Sequence, residues 1–143
     1  MIAPLDILEA RQRWSPIFLA IAIWREARGT GETGMTAVGY SIMERVEHPT
    51  WWGHTLAEVL AKKWQYSSLA APGDPQLILW PVDEDVSWRL AMAVADAVLA
   101  KSVPNPVPAA DSYFDASISP PKWATPKRFI GKVGRLSFYR VRT

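Results

Sequence analysis

The sequence feature that most constrains the fold is a wholly apolar segment, Ile17 to Trp24, followed directly by Arg25-Glu26-Ala27-Arg28-Gly29. Apolar residues on every side of a helix are typical of a buried helix, so this segment predicts a helix in the domain core. Ser15 and Pro16 match the preferences for an N-cap and a first helical residue, and Gly29 matches the left-handed residue that closes a helix. We therefore predict a core helix that begins at Pro16 and ends just before Gly29.

Glu26 continues the buried face of this helix, because Leu19, Ala22 and Ile23 precede it at helical spacing. Desolvation and the negative end of the helix dipole would both raise the pKa of its carboxyl. A carboxyl that stays protonated near neutral pH is the general acid that glycosidic bond cleavage needs. The alternative is a half-exposed glutamate at a helix end, paired with Arg25 or Arg28, and spacing by itself favours that alternative.

Length and composition restrict the class of protein. A chain of 143 residues with 49% hydrophobic and 21% charged residues predicts a single globular domain over residues 1–143. The absence of cysteine excludes a cysteine nucleophile and a thiolate metal site. Only two histidines, His48 and His54, are present, which argues against a histidine-rich metal site and a Ser-His-Asp triad.

No apolar run reaches the length of a membrane span, so no transmembrane segment is expected. The first residues, Met1 to Asp6, lack the basic and apolar regions of a signal peptide. We therefore expect a protein that is made in the cytoplasm and reaches any target outside it only after release by another agent. We also expect a monomer.

Charge is distributed unevenly along the chain, although the net charge is only +2. Residues 122–143 contain basic residues and no acidic ones: Lys122, Lys127, Arg128, Lys132, Arg135, Arg140 and Arg142. Such a surface could make weak contact with an anionic envelope, and solvated outer faces of terminal strands explain the pattern equally well. Nucleic acid is not an expected partner, because proline and glycine interrupt the basic residues and the first 121 residues are net acidic.

Periodicity and punctuation predict helices first and strands last. The remaining predicted elements are a short helix from Asp6 to about Arg13, helices at 34–47, 55–64 and 85–101, a loop-like segment at 65–82, and strands within 111–117 and 128–141. Helices followed by strands, without alternation, indicate an α+β fold that is mostly helical with a small C-terminal antiparallel sheet.

Eight tryptophans are the other unusual feature, because indole rings stack on sugars as well as filling cores. Trp24 and Trp88 lie within helical patterns and are predicted to be core residues. The tryptophans in loop-like segments are candidates for a binding groove: Trp51, Trp52, Trp80 and Trp123.

Several blocks of the chain, taken in order, resemble the bacterial cell wall hydrolase family, which contains the spore-cortex lytic enzymes and many phage endolysins. The blocks are Glu26-Ala27-Arg28-Gly29 with Gly34 and Ala37-Val38, Arg45-Val46-Glu47-His48, Gln65-Tyr66-Ser67, Pro72-Gly73-Asp74-Pro75, Ala110-Asp111-Ser112-Tyr113-Phe114-Asp115, Pro120-Pro121-Lys122-Trp123-Ala124, and Val133-Gly134-Arg135 with Phe138-Tyr139-Arg140. The resemblance covers roughly residues 17–141 and implies a lysozyme-like or lytic-transglycosylase-like fold.

This resemblance implies cleavage of the peptidoglycan glycan strand between N-acetylmuramic acid and N-acetylglucosamine, with no metal or cofactor and with Glu26 as the catalytic acid and base. The resemblance therefore favours Glu26 as a catalytic acid over the alternative of a half-exposed glutamate at a helix end, which spacing by itself had favoured. The candidate substrate-binding residues are Gln65, Tyr66, Tyr113, Asp115 and Trp123. The role of a phage endolysin, which acts on the cell wall in the periplasm after release, is expected from this resemblance and from the lack of a recognisable signal peptide. A fragment of a longer bacterial protein fits equally well.

The chain departs from the family pattern at several positions. Thr30 stands where a second glutamate is common, Asp115 where asparagine is usual, and Leu136 where histidine is common. An extra carboxylate at Asp115 would support attack by water, so a hydrolytic muramidase is one alternative to a lytic transglycosylase. A non-catalytic glycan-binding relative is the other alternative.

Overall fold

Helix α1 (Ile7–Ala27) is the central element of the fold in a computed structural model that describes residues 3–62 and 66–143. Its second half is buried, and Leu19, Ala22 and Ile23 have no exposed surface. Helices α2 (Gly31–Glu47) and α5 (Val86–Ala100) pack against it. The apolar segment therefore forms the centre of the core, as its composition predicts.

Helix α1 runs through Pro16 without interruption, so the predicted division into two helices at Ser15 and Pro16 is wrong. Proline removes one backbone hydrogen bond from a helix interior and crowds the preceding turn. Asp6 is the N-cap of the helix and forms a full capping box with Glu9. The Asp6 carboxylate accepts from the Glu9 backbone N–H at 2.9 Å, and the Glu9 carboxylate accepts from the Asp6 backbone N–H. Gly29, by contrast, has the predicted left-handed conformation, with φ at +90°.

Helix α2 crosses α1 and α5 closely at Gly39, where a Cβ atom would lie 3.0 Å from Ile23 Cδ1 and 3.2 Å from Val98 Cγ2. The glycine inside this helix therefore serves the close helix crossing that its position predicts. Helix α2 begins at Gly31, earlier than the predicted Gly34, and its C-cap is His48.

Short elements follow α2. Helix α3 (Leu56–Ala61) starts after its predicted cap Thr55 but ends before the predicted Trp64, which lies outside the described residues. The segment predicted as a loop contains helix α4 (Ser67–Ala70) and a 3₁₀ turn at Pro75–Ile78. Helix α5 starts after Asp85, whose carboxylate accepts from the Ser87 N–H at 2.8 Å, as predicted for an N-cap.

Three antiparallel strands end the chain: β1 (Ser112–Asp115), β2 (Phe129–Val133) and β3 (Leu136–Tyr139). Their order in the sheet is β1-β3-β2, and Tyr113 pairs with the fully buried Phe138. The fold is therefore α+β, mostly helical with a small C-terminal antiparallel sheet, as predicted. None of the helices in the described residues is long and apolar enough to cross a membrane.

The tryptophans divide differently from the prediction. Trp52 is only 1% exposed and its Nε1 donates to the Arg45 carbonyl at 2.9 Å, so it is a core residue and not part of a groove. A position next to a glycine in a turn does not reveal which way the side chain points. Trp24 is buried and Trp88 is partly buried against the core, as predicted, whereas Trp51 and Trp80 are exposed.

The basic C-terminal residues also divide into two groups. Arg142 is buried and forms ion pairs with Asp111 and Glu44, and Arg135 pairs with Asp115. Lys122, Lys127, Lys132 and Arg140 are exposed. The basic surface is therefore smaller than the sequence count indicates.

Candidate active site

Glu26 lies in the last turn of α1, where its partly exposed carboxyl is held between α4 and β1. The Ser68 hydroxyl donates to Oε2, and the Tyr113 hydroxyl donates to Oε1 at 2.5 Å. Burial raises the pKa of Glu26, the two hydrogen bonds lower it, and the negative charge of Asp74 raises it; the net change is upward. This is the direction that the position of Glu26 on the buried face predicts.

Two tyrosines lie beside this carboxyl. Tyr66 is 3% exposed, and burial raises the pKa of its phenol to about 12. Burial, followed by the nearby charge of Glu26, raises the pKa of Tyr113 well above its ordinary value. Both phenols therefore stay neutral at physiological pH, so that Tyr113 remains a hydrogen-bond donor to the Glu26 carboxylate.

Arg45 of α2 fixes the start of the strand that carries Tyr113. Its Nε donates to the Asp111 carbonyl at 2.6 Å, and its Nη2 donates to the Ser112 hydroxyl at 3.1 Å. The guanidinium lies 5.4 Å from the Tyr66 ring centre and therefore contacts both the strand and the second phenol. Sequence reasoning did not assign Arg45 a role in the site, although it stands in one of the family-like blocks.

Within the described residues, the two arginines that flank Glu26 donate to the segment of residues 66–80 and not to the Glu26 carboxyl. Arg25 Nη1 donates to the Ser68 carbonyl at 3.2 Å, and its Nη2 donates to the Leu79 carbonyl at 3.0 Å. Arg28 donates to the Gln76 side chain at 2.7 Å and to the Trp24 carbonyl at 3.2 Å, so it also caps the helix end. Glu26 is therefore bound by Ser68 and Tyr113 and is not paired with Arg25 or Arg28, as the alternative interpretation of the sequence would require.

The structure places the other candidate residues at different distances from this centre. Gln65 lies outside the described residues. Asp115 pairs with Arg135 at 2.6 Å and accepts from the Ser117 N–H at 2.8 Å; that backbone bond, followed by the Arg135 charge, lowers the pKa of Asp115. Trp123 is partly buried and packs edge-on against Tyr139 with ring centres 5.6 Å apart.

Two residues that the sequence did not single out as site residues belong to the site. Ser68 directly follows the Gln65-Tyr66-Ser67 block, and Asp74 lies within the Pro72-Gly73-Asp74-Pro75 block, so both blocks contained a usable signal. The carboxylate whose charge reaches Glu26 is Asp74 and not Asp115. Asp74 Oδ1 accepts from the Gln76 N–H at 2.8 Å, which ties it to the 3₁₀ turn.

The cavity beside the first half of α1 does not include Glu26, and the described residues contain no cluster that could bind a metal ion. A cavity of about 640 Å³ lies between the first half of α1 and α3, lined by Trp14, Phe18 and residues 55–58, and Glu26 does not line it. No group of three or more His, Cys, Asp or Glu side chains that could hold a metal ion occurs within residues 3–62 and 66–143. The Glu26 carboxyl, with its pKa raised and its two oxygens bound by hydroxyl donors, can give a proton to a neighbouring group and take it back.

Comparisons with known proteins identify the family and the fold. The profile of a family described as Cell Wall Hydrolase matches residues 29–139, beginning just after Glu26. The fold is similar to the catalytic domain of the germination-specific lytic transglycosylase SleB from Bacillus anthracis, with 22% identity, a TM-score of 0.67, and coverage of 96% of this chain and 99% of that one. It is also similar to the catalytic domain of the Bacillus cereus SleB protein, with 21% identity, a TM-score of 0.65, and coverage of 89% and 90%. A search of curated proteins finds no match.

Proposed function

The chain belongs to the cell wall hydrolase family, and from this premise we propose that it cleaves peptidoglycan glycan strands as a lytic transglycosylase with Glu26 as its acid and base. The observation that carries the proposal is the environment of the Glu26 carboxyl. Burial raises the pKa of this carboxyl, and its two oxygens accept hydrogen bonds from Ser68 and Tyr113. The similarity of the fold to a lytic transglycosylase catalytic domain supports the same reaction.

One carboxyl is sufficient for this reaction. Protonated Glu26 gives its proton to the glycosidic oxygen as the bond from that oxygen to C1 of N-acetylmuramic acid breaks. The C6 hydroxyl of the same sugar then forms a bond to C1 and returns its proton to the Glu26 carboxylate. The products are a free 4-hydroxyl on the leaving N-acetylglucosamine and a 1,6-anhydro ring, and Glu26 is protonated again.

A hydrolytic muramidase would require a second carboxylate to activate water or to act as a nucleophile. Asp115, the candidate from the sequence, is bound by Arg135 and by the Ser117 N–H. Asp74 is close enough for its charge to act on Glu26, but it caps the 3₁₀ turn. Because both carboxylates already have these partners, the structure favours the lytic transglycosylase reaction, which needs only Glu26.

The product distinguishes the two reactions. We expect digestion of purified peptidoglycan to release muropeptides that end in 1,6-anhydro-N-acetylmuramic acid, because no water is consumed. Mass spectrometry measures this, since each anhydro product is lighter by one water than its reducing-end counterpart. Reducing-end muropeptides would contradict the lytic reaction and support the muramidase alternative.

Tyr113→Phe should lower kcat by roughly 10- to 100-fold, because a hydrogen bond to a charged group contributes about 1.5–3 kcal/mol. The bond from Tyr113 lowers the pKa of Glu26, so its loss should raise that pKa and move the alkaline limb of the rate profile to higher pH. The pH dependence of muropeptide release measures both effects.

Tyr139→Phe is the matched control for this change, because Tyr139 lies on the neighbouring strand β3, whereas the donors to Glu26 among the described residues are Ser68 and Tyr113. We expect it to leave the pH profile in place. Identical profiles for the two variants would mean that Tyr113 acts only by packing.

We further propose that the enzyme serves as a phage endolysin, which acts on the wall after release from the cytoplasm. Its support is the resemblance of its sequence blocks to a family that includes phage endolysins, together with four exposed basic residues that suit an anionic envelope: Lys122, Lys127, Lys132 and Arg140. A non-catalytic glycan-binding relative would keep the fold without requiring a buried carboxyl with a raised pKa.

A further inference from the structure

The segment of residues 78–82 exposes more apolar surface than its place beside the core explains. Ile78 is 82% exposed, Trp80 is 68% exposed and Val82 is 62% exposed. Isolated apolar residues are common on protein surfaces, but adjacent ones often mark a binding surface. None of these side chains has a role in the site described above.

Trp80 is connected to Glu26 by a short chain of contacts. The Arg25 guanidinium lies 4.9 Å from the centre of the Trp80 ring. The same guanidinium donates to the Leu79 carbonyl and to the Ser68 carbonyl. The indole therefore contacts Arg25, the Ser68 hydroxyl donates to the catalytic carboxyl, and Arg25 and Ser68 are hydrogen-bonded to each other.

Arg25 also gives the indole a defined orientation. The guanidinium is buried and covers one face of the ring, whereas most of the Trp80 side chain is open to solvent. A ring that is held on one side and free on the other can stack on the apolar face of a sugar with little loss of conformational freedom. Flexible exposed side chains would pay that cost on binding.

We propose that Trp80 forms a carbohydrate-binding subsite, on which one sugar ring of the glycan strand stacks while another is cleaved at Glu26. The inference rests on the proposed function, because it takes the strand to be the polymer that lies across Glu26. A sugar is the occupant that fits, since the exposed segment is continuous with the catalytic centre through Arg25 and Ser68. Trp80 thereby adds affinity for the polymer and takes no part in proton transfer.

The test measures binding and turnover separately. In a Glu26→Gln background, Trp80→Ala should weaken binding to purified insoluble peptidoglycan by roughly 10-fold in a co-sedimentation assay. With Glu26 intact, Trp80→Ala should raise KM for solubilised glycan strands by a similar factor and change kcat little. Trp80→Phe should retain part of the affinity, because it keeps an aromatic face.

Trp14→Ala is the matched control, because Trp14 is 53% exposed and lies in the first half of α1, about three helical turns from Glu26. Unchanged binding by Trp80→Ala, or equal weakening by both alanine variants, would overturn the subsite. These outcomes are independent of the catalytic proposal, which is tested by the products that the wild type releases and by their loss in the Glu26→Gln protein.

Discussion

Glu26→Gln should reduce the release of anhydro-muropeptides by at least about 10²- to 10⁴-fold, the contribution that a positioned general acid makes to a rate. Glutamine has nearly the same shape and keeps an oxygen that accepts a hydrogen bond, but it has no proton to give to the glycosidic oxygen. Chromatography of muropeptides with mass detection measures the loss against the wild type. Undiminished release would refute Glu26 as the acid, and undiminished binding with no release would support it.

The stability of the same variant separates chemistry from folding. Folding raises the pKa of Glu26 above its unfolded value, so the stability linked to protonation is fully present below the unfolded pKa and is lost as pH rises through the folded pKa. Glutamine does not ionise, so the variant should gain stability relative to the wild type over that interval. Thermal unfolding measured across the acidic to neutral range checks this, and a variant that is destabilised equally at every pH would contradict it.

The same pair of proteins tests the endolysin role inside cells. Bacteria that produce the wild type should remain intact until the inner membrane is permeabilised and should then lose turbidity. Cells that produce Glu26→Gln should not lyse after the same treatment. Lysis by the wild type before permeabilisation, or by neither protein after it, would count against an endolysin.

The catalytic candidate could be predicted from sequence because its position depends on local periodicity. A buried helix that ends at Ala27, two residues before the left-handed Gly29, places Glu26 at the edge of the core whatever the rest of the chain does. Ser68 and Tyr113 depend instead on contacts between residues 42 and 87 positions apart in the chain, which no helical or strand period reveals. Motif resemblance indicated Tyr113 and missed Ser68, and only the tertiary structure shows that both bind the same carboxyl.

The wrong predictions share a physical cause, which is that burial elsewhere outweighs a local signal. Pro16 disfavours a continuous helix by its own chemistry, but a capping box at Asp6 and a buried second half fix both ends of α1. Trp52 stands in a turn, and its indole is nevertheless directed into the core, where the Arg45 carbonyl accepts its N–H. Local composition indicates whether such a position lies in a helix or a turn, but it does not indicate which way the side chain points.

Asp111→Ala should be the most destabilising of the substitutions considered, by about 3–5 kcal/mol, or roughly 10 °C in Tm. The Asp111 carboxylate is fully buried and accepts from Arg142 Nη1 at 3.0 Å, from the Val141 N–H at 2.8 Å and from the Ser112 hydroxyl at 3.0 Å. Removing it leaves a buried guanidinium with Glu44 as its remaining ion-pair partner among the described residues, and frees the last residues of the chain from β1. Thermal and urea unfolding measure the change.

Asp115→Ala is the matched control, because it breaks the Asp–Arg pair at the far end of β1, the strand that Asp111 directly precedes. The Asp115–Arg135 distance of 2.6 Å is shorter than the 3.0 Å of Asp111–Arg142, but Arg135 is 66% exposed whereas Arg142 is 7% exposed. Solvent screens an exposed pair, so its loss should cost less than about 1 kcal/mol. Equal destabilisation by the two variants would contradict the argument that burial, and not distance, decides how much each pair contributes.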